Sequence, residues 1–102
     1  MYDLLIKNGQ VVTPDLVQDA NVAIKDGKIT AILAKGDEPE AAKVIDAEGK
    51  QVFPGAIDTH AHLNDPGYEW REDYEHGTAA AVVGGYTTIR SLRSHYLSLC
   101  TI

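Results

Sequence analysis

Apolar and polar positions alternate in short bursts through the first half of the chain. Residues 2–7, Tyr-Asp-Leu-Leu-Ile-Lys, are β-prone and stop at Asn8-Gly9, a dipeptide that tolerates the positive φ of a hairpin turn. Residues 10–13 form the next short run, closed by Pro14-Asp15. A strand is predicted over 20–24, a second hairpin turn at Lys25-Asp26-Gly27-Lys28, and a return strand over 29–33. Residues 35–43 are polar, with Gly36 and Pro39, and read as a surface loop. A last small pair, 44–46 and 51–53, is predicted around the turn Glu48-Gly49-Lys50. Short strands with regular turn punctuation predict an antiparallel β-sandwich or a portion of one.

The pattern changes at Pro54-Gly55. Residues 56–60 form a strand-like run with polar residues at its end, and 62–70 read as a loop containing Pro66-Gly67. A helix is predicted over 71–83, with Glu72, Asp73 and Glu75 in its first turns, where they suit the positive end of the helix dipole. Gly84-Gly85 ends it, and β-branched residues 86–89 predict a short buried strand. The order strand, helix, strand is a βαβ unit with parallel strands. Beyond it, Leu92, Tyr96 and Leu99 are spaced to line one face of a short helix. Organisation is therefore read as 1–53, a β module; 54–89, the opening of an α/β domain; and 90–102, a tail.

Charge and composition narrow the function. The chain has 102 residues, 44% hydrophobic and 24% charged, which is ordinary for a globular domain. Its net charge of −6 is spread over both halves, and no basic patch exists to favour nucleic acid or an anionic membrane. The single cysteine, Cys100, gives no disulfide framework and suits a reducing cytosol. The N-terminus has an acid and no long apolar run, unlike a signal peptide, so a cytoplasmic location is expected.

The residues that carry chemistry are Asp58-Thr59-His60-Ala61-His62. Side chains two apart in a strand point to one side, so both imidazoles can face one point, and neutral imidazole is a good ligand for zinc and similar ions. On spacing alone a pair of exposed or hydrogen-bonded loop histidines is the more ordinary reading. Asp58 shares the side of His60; it is either structural or a partner that orients the imidazole. Asn64 is either a substrate contact or a loop cap. Asp65 and Glu72 read as surface or capping groups, Trp70 and Tyr74 as packing residues, and His76 as a solvent-facing helix residue.

The run Val52-Phe53-Pro54-Gly55-Ala56-Ile57-Asp58-Thr59-His60-Ala61-His62 resembles the signature of the amidohydrolase superfamily. Asp3 to Gly9, Ile24 to Ile32 and Gly84 to Ile89 are similar to three further family segments, in the family's order, so the resemblance covers residues 2–89. It implies an α/β fold: an N-terminal β-sandwich portion followed by the first βαβ unit of a TIM-like (β/α)8 barrel, incomplete in this chain. It also implies that His60 and His62 ligate a divalent metal, that the full-length parent holds two zinc ions, and that this parent is a homo-oligomer acting on a small cyclic amide. A bridging lysine, two more histidines and an aspartate would come from later strands, so no catalytic residue is expected within these 102 residues.

Within the family the loop Leu63 to Trp70 looks most like that of allantoinases. Dihydroorotases are similar here but usually carry Arg where this chain has Asn64, and Asn cannot form that charge-assisted pair with a carboxylate. A neutral substrate such as allantoin, opened to allantoate, therefore fits. The alternatives are a dihydroorotase- or dihydropyrimidinase/hydantoinase-like enzyme, or a truncated non-catalytic binding or regulatory protein. After Ile89 the likeness stops, which suggests a frameshift or premature stop near codon 90 in a gene for a longer enzyme. The expectation for the chain alone is poor solubility and no hydrolysis.

Overall fold

The computed structural model describes residues 1–64, 67–93 and 96–101, with side chains as far as residue 91. The chain divides into two compact units, Met1–Pro54 and Gly55–Ile102.

The first unit is one five-stranded sheet built around its longest strand. β1 (Tyr2–Val12) pairs antiparallel with β2 (Val17–Lys25), which pairs antiparallel with β3 (Lys28–Ala34). On its other side β1 pairs parallel with β4 (Ala41–Asp46) and then with β5 (Gln51–Val52). Three expectations are corrected. Asn8-Gly9 is no hairpin: β1 runs through it, and the first hairpin turns at Pro14-Asp15, where Thr13 N–H and Oγ1 both donate to Leu16 O. Residues 44–46 and 51–53 do not pair with each other; β4 and β5 follow one another along the same edge of β1. The sheet is accordingly mixed rather than antiparallel, and the portion of a sandwich expected here is a single layer. The turn Lys25 to Lys28 forms as expected, with Asp26 at φ 51° and Gly27 at φ 70°.

What overrides the hairpin signal at Asn8 is a β-bulge. Register jumps between Ile6↔Val22 and Gly9↔Ala20, so Lys7 and Asn8 together face Asn21. Asn8 takes the positive φ its dipeptide advertises, at 58°, but inside a strand. The extra residue changes the parity of alternation, so Ile6 and Val11, five apart, join the same apolar cluster with Ala20, Val22, Ile24 and Val52. Asn21, 1% exposed, fills the gap: its Oδ1 accepts the Asn8 N–H at 3.0 Å and its Nδ2 donates to Asp37 O at 2.8 Å. On the far side Ala47 N–H donates to Lys7 O and Gly49 N–H to Asn8 O, both at 2.8 Å, so the 47–50 turn matches the bulge. Asp46 clamps the two, accepting from Glu48 N–H at 2.9 Å and Asn8 Nδ2 at 3.0 Å. Those bonds, the Glu48 one foremost, hold its carboxyl below the ordinary 3.8.

The second unit is the expected βαβ. β6 (Ala56–Ala61) and β7 (Tyr86–Arg93) are parallel neighbours joined through α1 (Tyr74–Val83). Ile89, 3% exposed, is the buried centre of β7, although Tyr86 is 38% exposed. The helix starts three residues later than predicted, because Asp73 serves as its N-cap and accepts the His76 N–H at 2.8 Å. Glu72 and Asp73 thus precede the helix, and Glu75 is the acid of its first turn. Gly55 cannot carry a side chain here: a Cβ would lie 2.1 Å from Thr87 Oγ1 on the neighbouring strand. The helical reading of the tail is corrected, since β8 (Tyr96–Thr101) extends the sheet antiparallel to β7. The expectation for Asp65 falls outside the described residues.

Candidate metal-ligand pair and its loop

β6 ends in the candidate site. His60 is its penultimate residue and His62 stands just past its end. The i, i+2 spacing does what strand geometry predicts: the two Nε2 atoms lie 3.1 Å apart, with ring centroids 5.0 Å apart and planes tilted by 60°. Both side chains are exposed. Two nitrogens on one tetrahedral zinc ion, each about 2.0–2.1 Å from it, would stand roughly 3.3 Å apart. The pair therefore fits two positions of a metal's coordination sphere with little adjustment. Among the described residues no third histidine, cysteine or carboxylate joins them as a potential ligand.

Asp58 does not hold an imidazole. Its Oδ1 accepts the backbone N–H of His60 at 3.0 Å, a local turn-type bond that shapes the end of the strand. It coincides with the loss of regular pairing between Asp58↔Ile89 and Ala61↔Ser91.

The loop after His62 is tied down at once. Leu63 is buried at 8% exposure, and Asn64 O accepts the Tyr68 N–H at 2.8 Å. Asn64 Nδ2 donates to Glu72 Oε2 at 3.4 Å. Trp70 is no packing residue: it is 77% exposed, with the Arg71 guanidinium 4.8 Å from its ring centre. With Arg71, Glu72, Asp73 and His76 it lines a cleft of about 370 Å³. His76 is solvent-facing, as expected, but its Nδ1 lies 2.7 Å from Asp73 Oδ1. That bond holds the imidazole above its ordinary 6.5, and the carboxyl, bonded first by the His76 N–H, sits below 3.8. The links from Glu72 and Asp73 were not predicted; Gly77 in an otherwise alanine-rich helix was the one signal that something packs closely there.

No protein-family model matches the chain. It is 48% identical over 84 residues to an allantoinase of Desulfitobacterium hafniense strain Y51, covering 82% of this chain and 18% of that protein. It is 43% identical over 88 residues to a dihydroorotase of Clostridioides difficile strain 630, covering 84% and 21%. Among solved structures, an L-hydantoinase (dihydropyrimidinase) from Arthrobacter aurescens superposes with a TM-score of 0.84 at 40% identity, over 90% of this chain and 21% of that one. An N-acyl-D-glutamate deacylase from Bordetella bronchiseptica, complexed with zinc and a phosphonate inhibitor, superposes at 0.67 and 29%, over 88% and 18%. The chain belongs to the amidohydrolase superfamily. It spans about a fifth of the length of these relatives. No helix among the described residues is long and apolar enough to cross a membrane.

Proposed function

We propose that the chain supplies the opening segment of a metal-dependent hydrolase that opens a cyclic amide, with allantoin as substrate and allantoate as product. The observation that carries this is the convergence of His60 and His62 at 3.1 Å on the end of the first strand of the βαβ unit. Relatives named allantoinase support the substrate. In this reading 1–53 contribute to a β-sandwich, 54–89 begin a (β/α)8 barrel, and 90–102 depart from the family's sequence. The working enzyme is cytoplasmic and homo-oligomeric.

His60 and His62 hold a divalent cation, with two zinc ions in the complete site. Such ions polarise an amide carbonyl and acidify a water. The remaining work of this segment is positional. Asp58 fixes the backbone at His60, and so the direction of its ring. Asn64, neutral and next to the histidine pair, contacts a neutral ring without demanding a carboxylate. The other ligands and the proton-shuttling acid come from beyond these residues. A second reading, a hydantoinase-like enzyme, is favoured by the 0.84 superposition on the L-hydantoinase.

A hybrid tests this. Residues 1–89 replace the matching segment of the D. hafniense allantoinase, and metal content and hydrolysis of allantoin, dihydroorotate and hydantoin are measured. The expected hybrid binds metal and prefers allantoin; His60→Ala or His62→Ala lowers kcat/KM by a factor on the order of a hundred or more, as loss of a metal ligand should. A folded hybrid without metal or activity would sink the proposal, and preference for hydantoin would favour the second reading.

A further inference from the structure

Both residues that follow His62 are anchored to the start of α1, and the anchors meet at one glycine. Gly77 is the buried residue of the helix. A Cβ there would lie 2.7 Å from Leu63 Cδ2, and 3.3 Å and 3.4 Å from Glu72 Cδ and Cγ. Leu63 and Glu72 thus both occupy the space that any side chain at this position would need. With its stem laid against Gly77, Glu72 brings Oε2 within 3.4 Å of Asn64 Nδ2. An ionised carboxylate can only accept a hydrogen bond. It therefore favours the Asn64 amide with its NH2 toward Glu72, which leaves the carbonyl as the end without that partner. An asparagine without such a neighbour can offer either end.

We propose that Glu72 is a positioning residue of the site: held against Gly77, it fixes Asn64 with its carbonyl as the presented group, so that the site takes a neutral cyclic amide or ureide offering an N–H donor and disfavours one bearing a carboxylate. This rests on the hydrolase reading above. A carboxylate at that position would meet the Asn64 carbonyl oxygen, an acceptor, with the negative Glu72 behind it. Gly77 suits the arrangement, because a Cβ there would push on both the Leu63 and the Glu72 side chains, and each would have to shift.

The test uses the same hybrid enzyme. Glu72→Gln keeps the shape but can accept or donate, so Asn64 is free to turn over. It should raise KM for allantoin about tenfold, the scale of one lost hydrogen bond, leave kcat within about twofold, and erode discrimination against dihydroorotate. In an Asn64→Ala background the same change should have no further effect, since the two residues act as one unit. An unchanged KM, or an equal effect in both backgrounds, overturns the proposal. Should the variant hybrid not fold, the 102-residue chain gives an independent readout. Its Asn64 side-chain NH2 resonances should shift between the unsubstituted chain and Glu72→Gln, since the accepting carboxylate is lost. Asn64 NH2 resonances that are unchanged by Glu72→Gln overturn the proposal. An inactive, metal-free unsubstituted hybrid would instead remove the hydrolase reading, and the resonance measurement would still decide whether Glu72 orients Asn64.

Discussion

Asn21 shows how much one buried polar residue can organise. A bulge leaves a backbone N–H out of the ladder, and a buried unpaired N–H is costly. Asn21 satisfies that group at Asn8 and also takes the carbonyl of Asp37, so it joins the bulge to the 35–40 loop. Asn21→Leu keeps the branched outline and removes both bonds. It should destabilise the first unit by about 2–4 kcal/mol, read from denaturant midpoints. A loss below about 0.5 kcal/mol, the range of ordinary surface changes, would mean the strut carries no load. Neither the bulge nor its partner was visible in the sequence, because Asn8-Gly9 carries the same signal for a hairpin as for a left-handed residue within a strand.

At the scale of the element, α1 depends on its first residues. Its apolar second half is largely exposed, with Val82 at 49% and Val83 at 90%, so packing within this chain does little to hold that end. The cap does more. Asp73 satisfies the His76 N–H and pairs with the His76 ring. Its carboxyl, lowered below 3.8, contributes above that value and loses its contribution as pH falls through the lowered one. The imidazole, raised above 6.5, contributes fully below that value and is lost as pH rises through the raised one. The cap is therefore strongest between these two ordinary values. Proton NMR should find the His76 midpoint above 6.5, the ordinary value. Asp73→Asn, which keeps the capping oxygen but not the charge, should bring it back. A midpoint at or below the ordinary value in the unsubstituted chain would refute the pairing.

Over the whole molecule, apolar surface is left open in each unit. Ile29 is 66%, Phe53 62% and Val44 51% exposed in the first, and Ile57 63% and Val83 90% in the second. Among the described residues both sheets also end in strands with unpaired edges. The net charge of −6 opposes association but is spread over both halves. Concentration-dependent self-association is expected of the 102-residue chain by analytical ultracentrifugation at micromolar concentrations, lessened by adding a solubilising charge with Val83→Lys. A monodisperse monomer throughout would show that these faces need no cover.

By itself the sequence determined the boundary near Pro54, the βαβ order, the turn at Asp26-Gly27 and the placing of His60 and His62 on one side of a strand end. Each follows from short-range rules: glycine and proline punctuation, helix capping and the two-residue period of a strand. Its four family-like segments also carried the superfamily. Only the tertiary structure decided that β1 passes through Asn8-Gly9, that β4 and β5 lie parallel beside it, and that residues 96–101 pair as a strand. It alone brought Glu72 and Gly77 against Leu63 and Asn64. These are contacts between residues distant in the chain or joined through a turn, and a local pattern cannot specify them, since the same turn signal serves several pairings and packing selects among them.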